Sequence, residues 1–159
     1  MEVPVKGFKR LSPGIEVRLR YSFIVRCIGV EKDENGDIMA VRCTYDRDTL
    51  AGGPAADRKV KGVIHWVSTR HCVPVEVRLY DRLFTVPNPA GDDWKSFLNP
   101  ASVEILTRAV VEPSLASSRP EELFQFERQG YFCADRKDSA PGRPVFNRTV
   151  TLRDSWSGK

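Results

Sequence analysis

An all-β fold is what this sequence predicts, and three observations carry it. Apolar residues recur at every second position through several stretches, turn-forming residues interrupt the chain roughly every ten residues, and a single short segment reads as helix. At 159 residues there is apolar content for a core, and the many short strands suit barrels or sandwiches, with two small barrels fitting the length.

The opening element is a long strand over Ile15–Ile28. Val17, Leu19, Tyr21, Phe23, Val25 and Cys27 alternate as its inward face, which leaves Arg18 and Arg20 side by side on the other, with Arg26 further along. Lys9 and Arg10 lie just upstream, across the Pro13-Gly14 turn. Cationic donors held on a rigid sheet grip a polyanion better than donors on a loop. Asn35-Gly36 predicts a type I′ turn, because both residues accept positive φ, and so a hairpin with Ile38–Tyr45. Asp46–Asp57, with Ala51-Gly-Gly-Pro-Ala-Ala56, is loop by composition.

Arg58–Ser68 is rich in β-branched and aromatic residues and predicts a strand with a basic entry. Val73–Tyr80 alternates again, with Val75, Val77 and Leu79 inward and Pro74 confining its start to an edge or a strand beginning; Leu83–Val86 extends it. Asp92-Asp93 supplies carboxylates at the start of a short helix over Trp94–Leu98, which Asn99-Pro100 stops. Val103–Val111 predicts a strand, Glu122–Ala134 a second hairpin, and Pro144–Arg153 the closing strand.

The formal net charge is +4, a mild basic excess that favours an anionic partner. No apolar run is long enough to span a bilayer, and no secretory leader is legible, so a cytoplasmic protein is expected. Cys27, Cys43, Cys72 and Cys133 are widely spaced, and His65 and His71 add no ligand spacing, so reduced thiols and no metal are expected. Neither a phosphate-binding glycine loop nor a nucleophile beside a base is present. Read from its residues alone, the chain is not an enzyme.

A binding surface is the better reading. In Phe124-Gln125-Phe126-Glu127-Arg128 the phenylalanines should face a core, placing Gln125 and Glu127 on the opposite face and Arg128 at the bend. Single-stranded RNA is read by splaying bases out and bonding their edges. Arg offers donors, Glu acceptors and Gln both, so a Gln with an Arg suits a uracil edge.

Several stretches together resemble one family. Val60–Val67, Val75–Phe84, Val86–Pro89, Phe124–Arg128, Gly130–Cys133 and Phe146–Val150, in this order and spacing, are similar to the C-terminal anticodon-binding region of glutaminyl-tRNA synthetase. The resemblance implies a proximal and a distal β-barrel clasping an anticodon loop. We expect the proximal barrel over 1–61, with its first strand missing, the distal barrel over 62–121, and at 122–159 a hairpin and closing strand returning toward the proximal barrel. It implies that Lys9, Arg10, Arg18 and Arg20 contact anticodon nucleotides, and that Gln125, Glu127 and Arg128 help to read the middle uridine. An arginine that the family uses lies upstream of Met1, and an unpaired edge there invites self-association.

The partners implied are the anticodon loop of tRNA(Gln) and a catalytic domain of the same polypeptide, in a monomer without a membrane. Nothing in the chain resembles the catalytic signatures of that family. ATP with Mg is therefore expected only in the missing catalytic domain, with no cofactor here and no activity from this part alone. Two other readings remain: an RNA- or ribosome-associated β-barrel without tRNA specificity, and the same region of a glutamyl-type enzyme.

Overall fold

A computed structural model describes residues 11–91 and 93–152. It is all-β and divides into two compact units between Trp66 and Val67. The first holds β1 (Glu16–Leu19), β2 (Ile24–Lys32), β3 (Ile38–Asp46) and β4 (Val63–Ile64), in the order β3-β2-β1-β4. The second holds β5 (Val73–Tyr80), β6 (Val103–Val111), β7 (Leu123–Phe126), β8 (Gly130–Ala134) and β9 (Val145–Val150), in the order β6-β5-β9-β8-β7. Two β-bodies stand where two were expected, although neither sheet closes into a barrel among the described residues. The hairpin and closing strand expected within 122–159 are β7, β8 and β9 of the second sheet, where β9 pairs with both β5 and β8, while 153–159 lie outside the described residues; the boundary falls after Trp66 rather than after residue 61.

The expected strand over Ile15–Ile28 is two strands. β1 and β2 pair antiparallel with Val17 opposite Val25, joined by a turn in which the Ser22 N–H donates to the Leu19 carbonyl at 2.8 Å. Paired residues of a hairpin share a face, so Val17 and Val25 both remain inward although the chain turns between them, and the burial alternation breaks at the turn, where Ser22 and Ile24 are also buried. Tyr21, expected inward, is 81% exposed with φ of 58°.

The β2–β3 hairpin forms as expected, but its turn is not type I′: Gly36 alone takes positive φ. The turn runs from Asp33 to Gly36, and the Asp33 carboxylate accepts from the N–H groups of Asn35 and Asp37 at 2.9 and 2.8 Å. An aspartate at the first position and a glycine at the fourth suit a type I turn, and the side chain supplies the competing bonds. Arg58–Ser68 shrinks to β4, parallel to β1. Leu83–Val86 does not extend β5 and holds a single bridge, Phe84 to Leu98. The expected helix is a 3-10 turn, Trp94–Phe97, without a side-chain cap from Asp93.

Val75, Val77, Val111, Phe132, Ala134 and Phe146 form the buried core of the second unit, with Phe124 and Phe126 packed against it. Pro74 costs this sheet nothing, because β9 pairs with β5 only from Glu76 onward.

A polar knot fastens β5, β9 and the loop after β8. Arg78 bonds Glu76 and Asp138 at 2.7 Å each and lies 3.5 Å from Asp135. Asn147 donates to Asp135 at 2.6 Å and accepts from the Tyr80 hydroxyl at 2.9 Å. The Asn147 amide, then the backbone N–H groups of Asp138 and Lys137, and lastly Arg78 pull the Asp135 carboxyl down to about 2. A carboxylate with a lowered folded pKa stabilises the fold above its unfolded value and loses that contribution as pH falls through the folded one. Asp135→Asn is therefore expected to lower the melting temperature at pH 7, with the gap to wild type narrowing between about pH 4 and pH 2. A gap that stays constant from pH 7 to pH 2 would show that the charge contributes nothing.

Candidate nucleic-acid interface

Each unit carries a candidate surface, and both are built on hairpin turns. In the first, β1 delivers Arg18 and the turn delivers Arg20. The expected exposed row of arginines is not what forms. Arg18 is half-buried, and its guanidinium donates to four backbone carbonyls: Ser22 at 3.1 Å and Thr49 at 2.6 Å from Nη1, Ala56 and Arg58 at 2.9 Å each from Nη2. The loop after β3 folds over it, which alternation along β1 has no means of indicating. Arg26 stands exposed on β2, opposite Glu16. Lys9 and Arg10 lie outside the described residues.

Arg20 sits in the turn itself. Its Nη2 donates to the Tyr21 hydroxyl at 3.3 Å and its guanidinium carbon lies 4.9 Å from the Tyr21 ring centroid. The backbone there is held from both sides: the Arg20 N–H donates to the Ile64 carbonyl at 3.0 Å, and the Trp66 indole N–H donates to the Arg20 carbonyl at 3.0 Å. Positive φ at a tyrosine costs on the order of 1–2 kcal/mol, and these surrounding bonds fix it.

Next to this turn is an open hollow of about 630 Å³ whose lining includes Leu19, Phe23, Tyr45, Arg47, Leu50 and Trp66. Phe23 and Tyr45 tilt against each other at 5.3 Å, and Arg47 bonds the Tyr45 hydroxyl at 3.1 Å. That bond is the leading cause of the raised pKa of Arg47. Exposed rings beside arginines offer π-faces to unstacked bases whatever their sequence. The sequence reading placed Tyr21, Tyr45 and Trp66 only as strand residues and assigned no role to Arg47; Tyr45, Arg47 and Trp66 come to line one hollow when β1, β2, β3 and β4 join one sheet.

In the second unit β7 and β8 form the hairpin that carries Gln125, Glu127 and Arg128. Phe124 and Phe126 do face the core: Phe126 stacks on Phe132 at 4.4 Å and meets Phe146 edge-on at 5.1 Å. Gln125 is exposed on the opposite face, with Tyr131 its cross-strand partner. Glu127 and Arg128 leave the strand and form the turn, closed by the Gln129 N–H donating to the Phe126 carbonyl at 2.9 Å. Arg128 is exposed, with φ of 63°. The hairpin thus presents an amide, a carboxylate and a guanidinium within four residues, a donor and acceptor set able to read a base edge.

Two family profiles match the chain, both described as "tRNA synthetases class I (E and Q), anti-codon binding domain". One takes in residues 3–46, with the Arg18–Arg20 turn; the other takes in residues 63–135, with the β7–β8 hairpin. Together they span well over half of the sequence.

The chain belongs to this anticodon-binding family.

Among curated relatives, the glutamine–tRNA ligase of Pseudomonas putida is 59% identical over 98% of this chain and 28% of its own length. That of Stutzerimonas stutzeri is 60% identical, and that of Nitrosomonas europaea 55%, each over 98% of this chain and 28% of the relative. The anticodon-binding chain therefore spans about 28% of the length of the ligases it matches. Residues 47–62 of this anticodon-binding chain, where Arg18 finds its Ala56 and Arg58 acceptors, fall between the two matched segments. Among the described residues, no group of three or more His, Cys, Asp or Glu side chains comes together to hold a metal, and no helix is long and apolar enough to cross a membrane.

Proposed function

We propose that the chain reads the anticodon loop of tRNA(Gln), so that a glutamine–tRNA ligase containing it charges the correct tRNA. The observation that supports this most directly is the β7–β8 hairpin. It packs the partly buried Phe124 and Phe126 against the core and leaves Gln125 and Arg128 exposed, within a sequence 59% identical to a glutamine–tRNA ligase. Gln125 and Arg128 would bond the edge of the middle uridine, and Glu127 would orient them. In the first unit Arg20, with Lys9 and Arg10, would contact the neighbouring nucleotides. Phosphate contacts would supply affinity and base edges the discrimination. The ATP-dependent chemistry would reside in a catalytic domain of the same polypeptide, working as a cytoplasmic monomer.

A titration of the chain with tRNA(Gln), and with a variant changed at the middle anticodon base, tests this. Gln125→Ala with Arg128→Ala is expected to weaken tRNA(Gln) binding by about 1–3 kcal/mol for each lost base contact and to leave the middle-base variant nearly unaffected. Binding should also fall steeply as salt rises, because each neutralised phosphate releases counterions. Equal affinity for both tRNAs would reject anticodon reading in favour of recognition by RNA shape. Because the family description takes in both E and Q enzymes, tRNA(Glu) belongs in the same titration, and tighter binding to it would assign the chain to the glutamyl branch.

A further inference from the structure

Arg18 was expected to touch RNA directly, yet its surroundings are those of a bracket. A guanidinium has five N–H donors in a fixed planar fork, and Arg18 directs both terminal nitrogens at carbonyls on two separate pieces of chain. One piece is the turn that carries Arg20 and Tyr21, through the Ser22 carbonyl; the other is the loop after β3, through Thr49, Ala56 and Arg58. The stem is fixed as well, since the Arg18 N–H donates to Gly62 and β1 is paired on both sides.

The loop is itself tied to the sheet. Thr49 is fully buried; its hydroxyl donates to the Asp46 carbonyl at 2.6 Å and accepts from the Ile24 N–H at 2.8 Å. Arg58 pairs with Glu16 at 2.9 Å. Arg18 is therefore the side chain that joins an anchored loop to the turn bearing Arg20, while the Trp66 indole holds that turn at the Arg20 carbonyl.

We propose that Arg18 is a positioning residue: it fixes the Arg20–Ser22 turn against the 47–58 loop, so that Arg20 and Tyr21 meet RNA already ordered, and makes no base contact of its own. This role rests on the RNA-binding reading above. Preordering favours affinity because a turn fixed in advance loses less conformational freedom on binding. Replacing the fork with a single ammonium does not reproduce four in-plane bonds, so charge alone does not substitute for it.

The test uses the whole chain with Arg18→Met and Arg18→Lys, each alone and combined with Arg20→Ala, titrated with tRNA(Gln) at several salt concentrations. Both Arg18 variants are expected to bind about tenfold more weakly than wild type, with the slope of log K against log salt unchanged, and to lose nothing further in the Arg20→Ala background. In the absence of RNA, amide exchange should accelerate at 47–58 and in the turn. Rescue by Arg18→Lys, or a slope shallower by about 1 in Arg18→Met, would make Arg18 a phosphate contact and overturn the proposal. A loss additive with Arg20→Ala would make it an independent base reader or a general stabiliser, and unchanged affinity would remove its part altogether; either result overturns it. Should Arg18→Met not fold, Arg18→Gln replaces it, and failure of both to fold would make the role one of global stability. Absence of wild-type binding would sink the tRNA reading instead, with the exchange measurement still reporting on the bracket.

Discussion

Phe146→Ala is expected to cost the second unit about 3–5 kcal/mol, a large part of the stability a domain of this size has. Phe146 is 0% exposed on β9, between β5 and β8. Its ring meets Phe124 edge-on at 5.6 Å and Phe126 at 5.1 Å. Truncation removes the transfer free energy of the ring and leaves a cavity that the surrounding side chains relax only partly to fill. Phe124 and Phe126 lie on the inward face of the strand whose outward face carries Gln125, so the same cavity loosens the candidate reading surface. Urea unfolding should show the loss. Amide exchange should accelerate in β5, β8 and β9 while β1–β3 keep their protection, since those strands pair in the other sheet. Phe146→Leu, which retains most of the volume, should cost clearly less; equal costs for the two variants would mean that ring packing is not what the site contributes.

How much of this was legible beforehand differs sharply between the two units. β5 follows from alternation, with Val75 and Val77 buried between the less buried Glu76 and Arg78; β6 and β9 are strands without it, β6 exposed along most of its length and β9 burying the adjacent Val145 and Phe146. The β7–β8 hairpin follows from the aromatic pair at Phe124 and Phe126. In the first unit the alternation of Ile15–Ile28 has the same form for one strand and for a tight hairpin, and Arg20-Tyr21-Ser22 contains none of the glycine, proline or asparagine that marks turns. The environment of Arg18 was hidden for a different reason. Its acceptors are main-chain carbonyls up to 40 positions away, and every residue has one, so no residue type advertises them. Trp66 was legible as a strand residue but not as the partner of the Arg20 carbonyl, which depends on β4 pairing parallel to β1.

Gly130→Ala is expected to cost about 2–3 kcal/mol and to weaken anticodon binding with it. Gly130 opens β8 with φ of +145°, a conformation that residues bearing a Cβ rarely adopt. A Cβ there would lie 2.6 Å from the Val150 carbonyl oxygen, a backbone atom of the neighbouring strand that cannot rotate aside. Relief requires β8 to move away from β9 or the turn before it to change shape, and that turn carries Glu127 and Arg128. Gly36→Ala is the matched control, since Gly36 also has positive φ but nothing lies within 4 Å of the position its Cβ would take. The control should cost only about 1 kcal/mol and leave tRNA binding intact. Melting curves together with the tRNA(Gln) titration decide the matter. If Gly130→Ala matches Gly36→Ala in both measurements, the approach of Val150 does not constrain the hairpin, and the placement of Arg128 does not depend on it.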